Sequence, residues 1–118
     1  MKHISCLRDL GRNRTCVIIG GGESVNNFDF GMLSDQYIIS LNNHMNQLAD
    51  MIIYYDKTMK SYFNDHHIAD RTFLVGFKHR ESIDYTVDRC DYYYNYNDMV
   101  FGDSGFHALQ FANNTFGS

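Results

Sequence analysis

Apolar and polar residues alternate in blocks along this chain, and the apolar blocks are short. Four blocks are rich in the β-branched and aromatic residues that strands favour: TCVIIG (15–20), YIISL (37–41), MIIYYD (51–56) and RTFLVGF (71–77). Continuous runs of this kind are typical of strands in the middle of a sheet. The first block therefore predicts a strand that is buried on both faces.

Helical spacing is found between and after these runs. It predicts a helix over KTMKSYFNDHHIA (57–69) and another over SGFHALQFANNTFG (104–117). The segment HMNQLA has room for about one to two helical turns. Residues 84–101 are rich in Tyr and Asp and alternate only partly, so that a strand and a long loop both remain open.

Short strands that alternate with helical segments indicate βαβ units. The predicted fold class is therefore α/β, with a Rossmann-like, mainly parallel sheet and helices on both faces. A length of 118 residues fits one domain, residues 1–118. The chain contains no Pro, so its turns depend on Gly, Asn and Asp.

Charge and composition narrow the expected partners. The formal net charge is -4 and no dense Lys/Arg run is present, which argues against a nucleic-acid partner. The three cysteines are widely separated and form no CxxC pair, as in intracellular proteins with reduced thiols. The N-terminus lacks the apolar region of a secretory signal, and no apolar run reaches the length of a membrane span. We expect a cytoplasmic protein without a membrane span.

Polar residues follow the first strand at a point where parallel sheets bind ligands. Gly20, Gly21 and Gly22 are followed by Glu23 and Ser24. Glycines let backbone N–H groups approach an anion, and a hydroxyl adds a further donor. The pattern is neither GxGxxG nor a P-loop. A plain turn explains it equally well, and the charge of Glu23 favours the turn.

The next two strands also end in polar residues. Asn42 and Asn43 suit the cap of a following helix, or donors and acceptors for a ribose or a base. Asp56 suits a helix cap, a ribose hydroxyl or a Mg²⁺ beside a nucleotide. For both sites capping is the commoner use of these residue types.

The last predicted helix begins with Ser104 and Gly105, a favourable cap followed by a residue that permits close approach. No metal site is predicted. His66 and His67 are adjacent, and adjacent helical side chains point about 100° apart, which is unsuited to chelating one ion.

Taken in order, VIIGGGESVNNFDFGML, YIISLNN, MIIYYD and GDSGFHALQFA resemble the N-terminal part of a sialyltransferase-like α/β family. This family includes bacterial family 42 glycosyltransferases, archaeal pterin diphosphokinase-like proteins and related phage-encoded proteins. The resemblance covers roughly residues 15–116 and rests on the order of short motifs.

The resemblance implies a nucleotide site of the CMP-sugar or ATP type. In such a site, the glycine loop lines the phosphate and ribose side and the two asparagines contact the nucleotide. The start of the late helix closes the pocket. Asp56 matches the acidic residue that ends a strand in many members of the family. The implied nucleotide-binding residues are Gly20, Gly21, Gly22, Ser24, Asn42, Asn43, Asp56, Ser104 and Gly105.

Two departures from the family pattern matter. Glu23 stands where the family has Pro. Family members continue after the late helix into another strand and a lid region, which in the glycosyltransferases carries the catalytic His and Tyr. This chain ends at Ser118, which predicts a domain shortened at its C-terminal end and leaves the catalytic residues unknown.

The expected function is binding of a nucleotide or nucleotide-sugar of the CMP or CTP type, with Mg²⁺ as the only cofactor that such a ligand would bring. Transfer activity does not follow, because no general base is identified. The alternative is a non-catalytic phage or bacterial assembly module that forms homo-oligomers. A sheet without the family's last strand exposes an edge, and aromatic residues are enriched at interfaces.

Overall fold

A computed structural model describes residues 2–7, 10, 14–21, 29, 31, 35–54, 57–78, 86–95 and 104–116. The described part contains six strands: β1 (Lys2–His3), β2 (Cys16–Ile19), β3 (Tyr37–Leu41), β4 (Met51–Ile53), β5 (Phe73–Lys78) and β6 (Tyr92–Asn95). It contains two α-helices, α1 (Lys57–Asp65) and α2 (Ser104–Phe116), and two 3₁₀ turns, Ile4–Leu7 and Asn46–Leu48.

The six strands form one sheet in the order β1-β6-β5-β4-β3-β2, and every described pairing is parallel. From β2 to β6 each strand lies beside the one before it in the chain. Right-handed crossovers then place the intervening connections on one face. Ala49, Phe63 and Val87 come from three successive connections and pack in one cluster, as this rule requires.

The two faces of the sheet are covered by different helices. In β4, Met51 and Ile53 pack in the cluster that contains Phe111 of α2. Ile52 and the adjoining Tyr54 pack in the cluster that contains Phe63 of α1. This alternation follows from the period of two along a strand. The predicted α/β, Rossmann-like parallel sheet with helices on both faces is confirmed.

Some local predictions differ from the structure. β2 lies at an edge of the described sheet, and only Ile19 among its residues is fully buried, so the prediction of a strand buried on both faces is wrong. A short apolar run does not distinguish a central strand from an edge strand. The Tyr-rich stretch contains a strand, Tyr92–Asn95, and β1 pairs with it, which no sequence pattern predicted.

Asp50 lies just before β4, at the amino end of the sheet, and forms hydrogen bonds with β3. Its carboxylate accepts the N–H of Ile38 at 2.9 Å, and its own N–H donates to the carbonyl of Ile38 at 2.8 Å. Asp91 makes the same pair of contacts with Leu74, both at 2.9 Å. Each Asp therefore continues the strand pairing by one residue through its side chain.

We predict that Asp50→Ala lowers the free energy of unfolding by about 1–2 kcal/mol, because the N–H of Ile38 loses its carboxylate acceptor. Asp50→Asn keeps an acceptor oxygen and should cost less. Urea unfolding measures both changes, and Asp70→Ala, at an exposed position, serves as the control. Equal stability of Asp50→Ala and Asp70→Ala would contradict this role.

Candidate functional site

The carboxyl ends of β2 and β3 bring the predicted glycines and asparagines to one edge of the sheet. Ile19 pairs with Ser40, so Gly20 and Gly21 leave β2 beside the residues that leave β3. Adjacent strands lie about 4.8 Å apart. Asn42 extends the pairing towards β4, because its N–H donates to the carbonyl of Ile53 at 3.0 Å. The grouping predicted from strand order is therefore present for Gly20, Gly21, Asn42 and Asn43.

Gly21 is in close contact with the imidazole of His44. A Cβ built at Gly21 would lie 2.5 Å from Nε2, 2.7 Å from Cε1 and 2.9 Å from Cδ2 of that ring. A Cβ at Gly20 would meet nothing within 4 Å. Neither glycine has a positive φ. The absence of a Cβ at position 21 thus leaves room for the close approach of the ring, and the backbone conformation does not itself require glycine.

A tight turn holds His44 in this position. Asn42 and Met45 adopt left-handed backbone angles, with φ of 55° and 51°. The amide Nδ2 of Asn46 donates to the Ser40 hydroxyl at 3.0 Å and to the carbonyl of Asn42 at 2.9 Å. The N–H of His44 donates to the carbonyl of Leu41 at 3.2 Å. The turn therefore fixes the backbone that carries the exposed His44 side chain.

The prediction that Asn42 and Asn43 cap a following helix is wrong, because both residues belong to this turn. The following helical segment is only a 3₁₀ turn, Asn46–Leu48, and its cap residue is Met45 without a side-chain hydrogen bond. Asn42 instead supplies the left-handed angle that Asn tolerates better than most residues. Asn43 is exposed.

The remaining predicted residues are described less fully. Gly22, Ser24 and Asp56 lie outside the described residues. Ser104 and Gly105 form the start of α2, although their side chains lie outside the described part. α2 contacts β2, β3 and β4, the three strands whose ends carry the candidate residues. A Mg²⁺ role for Asp56 stays a prediction.

The sequence assigned no role to two residues of this edge, His44 and Asn46. His44 follows the two asparagines directly, so its proximity to the site was readable. Its contact with Gly21 was not, because that contact depends on the turn between Leu41 and Asn46. Within the described residues, no group of three His, Cys, Asp or Glu side chains could hold a metal ion.

Among the described residues, three groups with raised pKa values lie elsewhere in the sheet. Burial, and then the nearby Asp50 carboxylate, raises the pKa of the Cys16 thiol to about 11. Burial and then Asp50 also raise the pKa of Tyr37, and burial raises the pKa of Tyr94. All three groups are neutral in the folded protein at neutral pH, and unfolding would let them ionise more easily.

Stability is therefore predicted to fall in alkali. A raised pKa in the folded state means that the folded protein holds these protons more tightly, so stability declines above the unfolded pKa. For Cys16 this window runs from about 9.0 to about 11. Urea unfolding across that range should show the decline, and Tyr94→Phe should make it shallower. A free energy of unfolding that is constant over this range would contradict the prediction.

Comparison of the chain with protein-family models, with curated proteins and with solved structures found no match. None of the helices in the described part is long and apolar enough to cross a membrane.

Proposed function

We propose that the carboxyl edge of β2 and β3 binds a nucleotide or nucleotide-sugar of the CMP or CTP type. The observation that supports this is the contact between Gly21 and His44 at the ends of two adjacent parallel strands. Parallel sheets bind ligands outside the carboxyl ends of their strands. The order of motifs along the chain further supports a relationship to the sialyltransferase-like family.

Each element of this edge has a chemistry that suits such a ligand. A Cβ at Gly20 would meet nothing within 4 Å, so the backbone that leaves β2 is open at this residue and its N–H can approach a phosphate. The His44 imidazole adds a donor beside that loop. The Asn43 amide is exposed and offers both a donor and an acceptor to a ribose or base. We propose binding, without group transfer, as the activity of this edge.

Calorimetric titration with CMP, CTP and ATP, with and without Mg²⁺, tests the proposal. Ligand that binds the folded state should also raise the melting temperature. Asn43→Ala should weaken binding without loss of stability, since Asn43 is exposed and outside the left-handed positions. Asn113→Ala, an exposed Asn on α2, is the matched control. Absence of binding by any nucleotide, or equal weakening by both variants, would refute the proposal.

A second candidate function is a non-catalytic assembly module. It is favoured by the position of β2, an edge strand of the described sheet whose half-buried Cys16, Val17 and Ile18 carry no charge. Uncharged edge strands pair readily with other strands. Light scattering tests this candidate, and Val17→Lys should dissociate an oligomer formed through β2. A monomeric wild-type protein would exclude it.

A further inference from the structure

Asn46 makes the side-chain hydrogen bonds that shape the turn after β3. Its amide Nδ2 meets three acceptors: the Ser40 hydroxyl at 3.0 Å and the carbonyls of Asn42 and His44 at 2.9 and 3.5 Å. A flipped amide would place Oδ1 against the two carbonyl oxygens, which would repel it, so the observed orientation is the favourable one. Asn46 therefore acts as a donor to this turn.

Ser40 fixes the position of the Asn46 amide relative to β2. It is fully buried, and it pairs with Ile19, the last residue of β2. The chain leaves β2 at this point, and the His44 ring lies against Gly21. The Asn46 amide therefore connects the turn to the strand position beside which the glycines begin.

The turn is held in a conformation that is unfavourable by itself. In the described part of the chain, Asn42 and Met45 are the non-glycine residues with positive φ, and left-handed angles cost most residues free energy. The Oδ1 atom of Asn46 is buried without a hydrogen-bond partner among the described residues, which is a further cost. Costs of this kind concentrate at functional sites. The stability of the sheet alone does not account for them.

We propose that Asn46 is a positioning residue of the carboxyl edge, which holds the His44 imidazole against Gly21 before a ligand arrives. This inference rests on the proposed nucleotide site, in which His44 and Asn43 contact the ligand. Asn46 acts through the turn that carries both residues. A turn that is already formed in the free protein does not have to be ordered on binding, and the affinity is higher for that reason.

The free protein tests the positioning role without any ligand. The ring current of His44 should shift the Gly21 Hα proton that points towards the ring, so that the two Gly21 Hα resonances are well separated. Asn46→Ala should remove most of this separation and bring it close to that in His44→Ala. Gln47→Ala, at the exposed next residue of the same 3₁₀ turn, is the matched control and should leave the separation unchanged.

A second substitution should reverse the effect. Met45→Gly in the Asn46→Ala protein should restore part of the separation, because glycine adopts the left-handed angle without steric cost. A general loss of packing would not be recovered by a glycine. Nucleotide titration gives an independent readout: Asn46→Ala should weaken the binding of CMP and CTP about tenfold, and Gln47→Ala should not weaken it.

The outcomes separate the positioning role from nucleotide binding itself. A Gly21 separation in Asn46→Ala or His44→Ala equal to that of the wild type would overturn the positioning role. Absence of any recovery with Met45→Gly, or equal nucleotide affinities of Asn46→Ala and Gln47→Ala, would also overturn it. A wild-type protein that binds no nucleotide refutes the proposed function, and the Gly21 resonances still decide whether Asn46 positions His44. If Asn46→Ala does not fold, Asn46→Asp replaces it, since it keeps the shape and removes the donor.

Discussion

Tyr54→Ala is expected to lower the free energy of unfolding by about 4 kcal/mol, the range found for large aromatic residues removed from a core. Tyr54 is 0% exposed and packs against Phe63 with ring centroids 5.1 Å apart. Its hydroxyl accepts the N–H of Val87 at 3.0 Å. The side chain therefore joins β4, α1 and the connection that leads to β6, and its removal opens a cavity among all three.

Tyr54→Phe separates packing from hydrogen bonding. It keeps the ring but removes the hydroxyl acceptor, so that the buried N–H of Val87 loses this partner at a cost of about 1–3 kcal/mol. Urea unfolding measures both variants, and hydrogen exchange of the Val87 amide should become faster in Tyr54→Phe. An unchanged exchange rate together with unchanged stability would show that this hydrogen bond does not contribute.

Arg89→Ala is expected to have the second largest effect, a loss of roughly 3 kcal/mol in the free energy of unfolding. The guanidinium donates to the carbonyls of Ile68 and Thr72, each at 2.6 Å, and to that of Asp70 at 3.2 Å. These three acceptors lie on the segment between α1 and β5. Arg89 thus connects that segment, through hydrogen bonds, to the residues that precede β6.

Arg89→Lys should restore only part of this stability, since one ammonium group does not reproduce the planar fork of donors. Arg71→Ala is the matched control. The Arg71 side chain is 63% exposed and pairs with Asp50 at 3.7 Å, so its removal should cost little. Urea unfolding of the three variants measures the differences. If Arg89→Ala lowered the free energy of unfolding no more than Arg71→Ala, the stabilising role proposed for the Arg89 hydrogen bonds would be wrong.

The central strands were predictable because their apolar runs are long enough to be recognised and are bounded by polar residues. Tyr37–Leu41 forms the predicted strand without any shift in its bounds. Position within the sheet was not predictable in the same way. β2 resembles a central strand in composition, yet it lies at the edge of the described sheet. Strand order depends on long-range pairing, which a local pattern does not contain.

The candidate site, like the sheet, was predictable only in part. The residues at the ends of β2 and β3 were identifiable from the rule that ligands bind beyond parallel strands. The contact between His44 and Gly21 could not be identified from the sequence, because two left-handed residues, Asn42 and Met45, determine the path of the turn. The strand Tyr92–Asn95 was ambiguous in the sequence, because the Tyr- and Asp-rich stretch that contains it alternates only partly.

Nucleotide-induced amide shifts show directly whether CTP or CMP binds at the carboxyl edge of β2 and β3. The isotope-labelled protein is titrated with CTP and CMP, and the shifted residues are located in the sheet. We expect saturable shifts at Gly20, Gly21, Asn43 and His44, at the carboxyl edge of β2 and β3. Absence of saturable shifts at millimolar nucleotide, or shifts confined to the amino edge around Asp50, would contradict it.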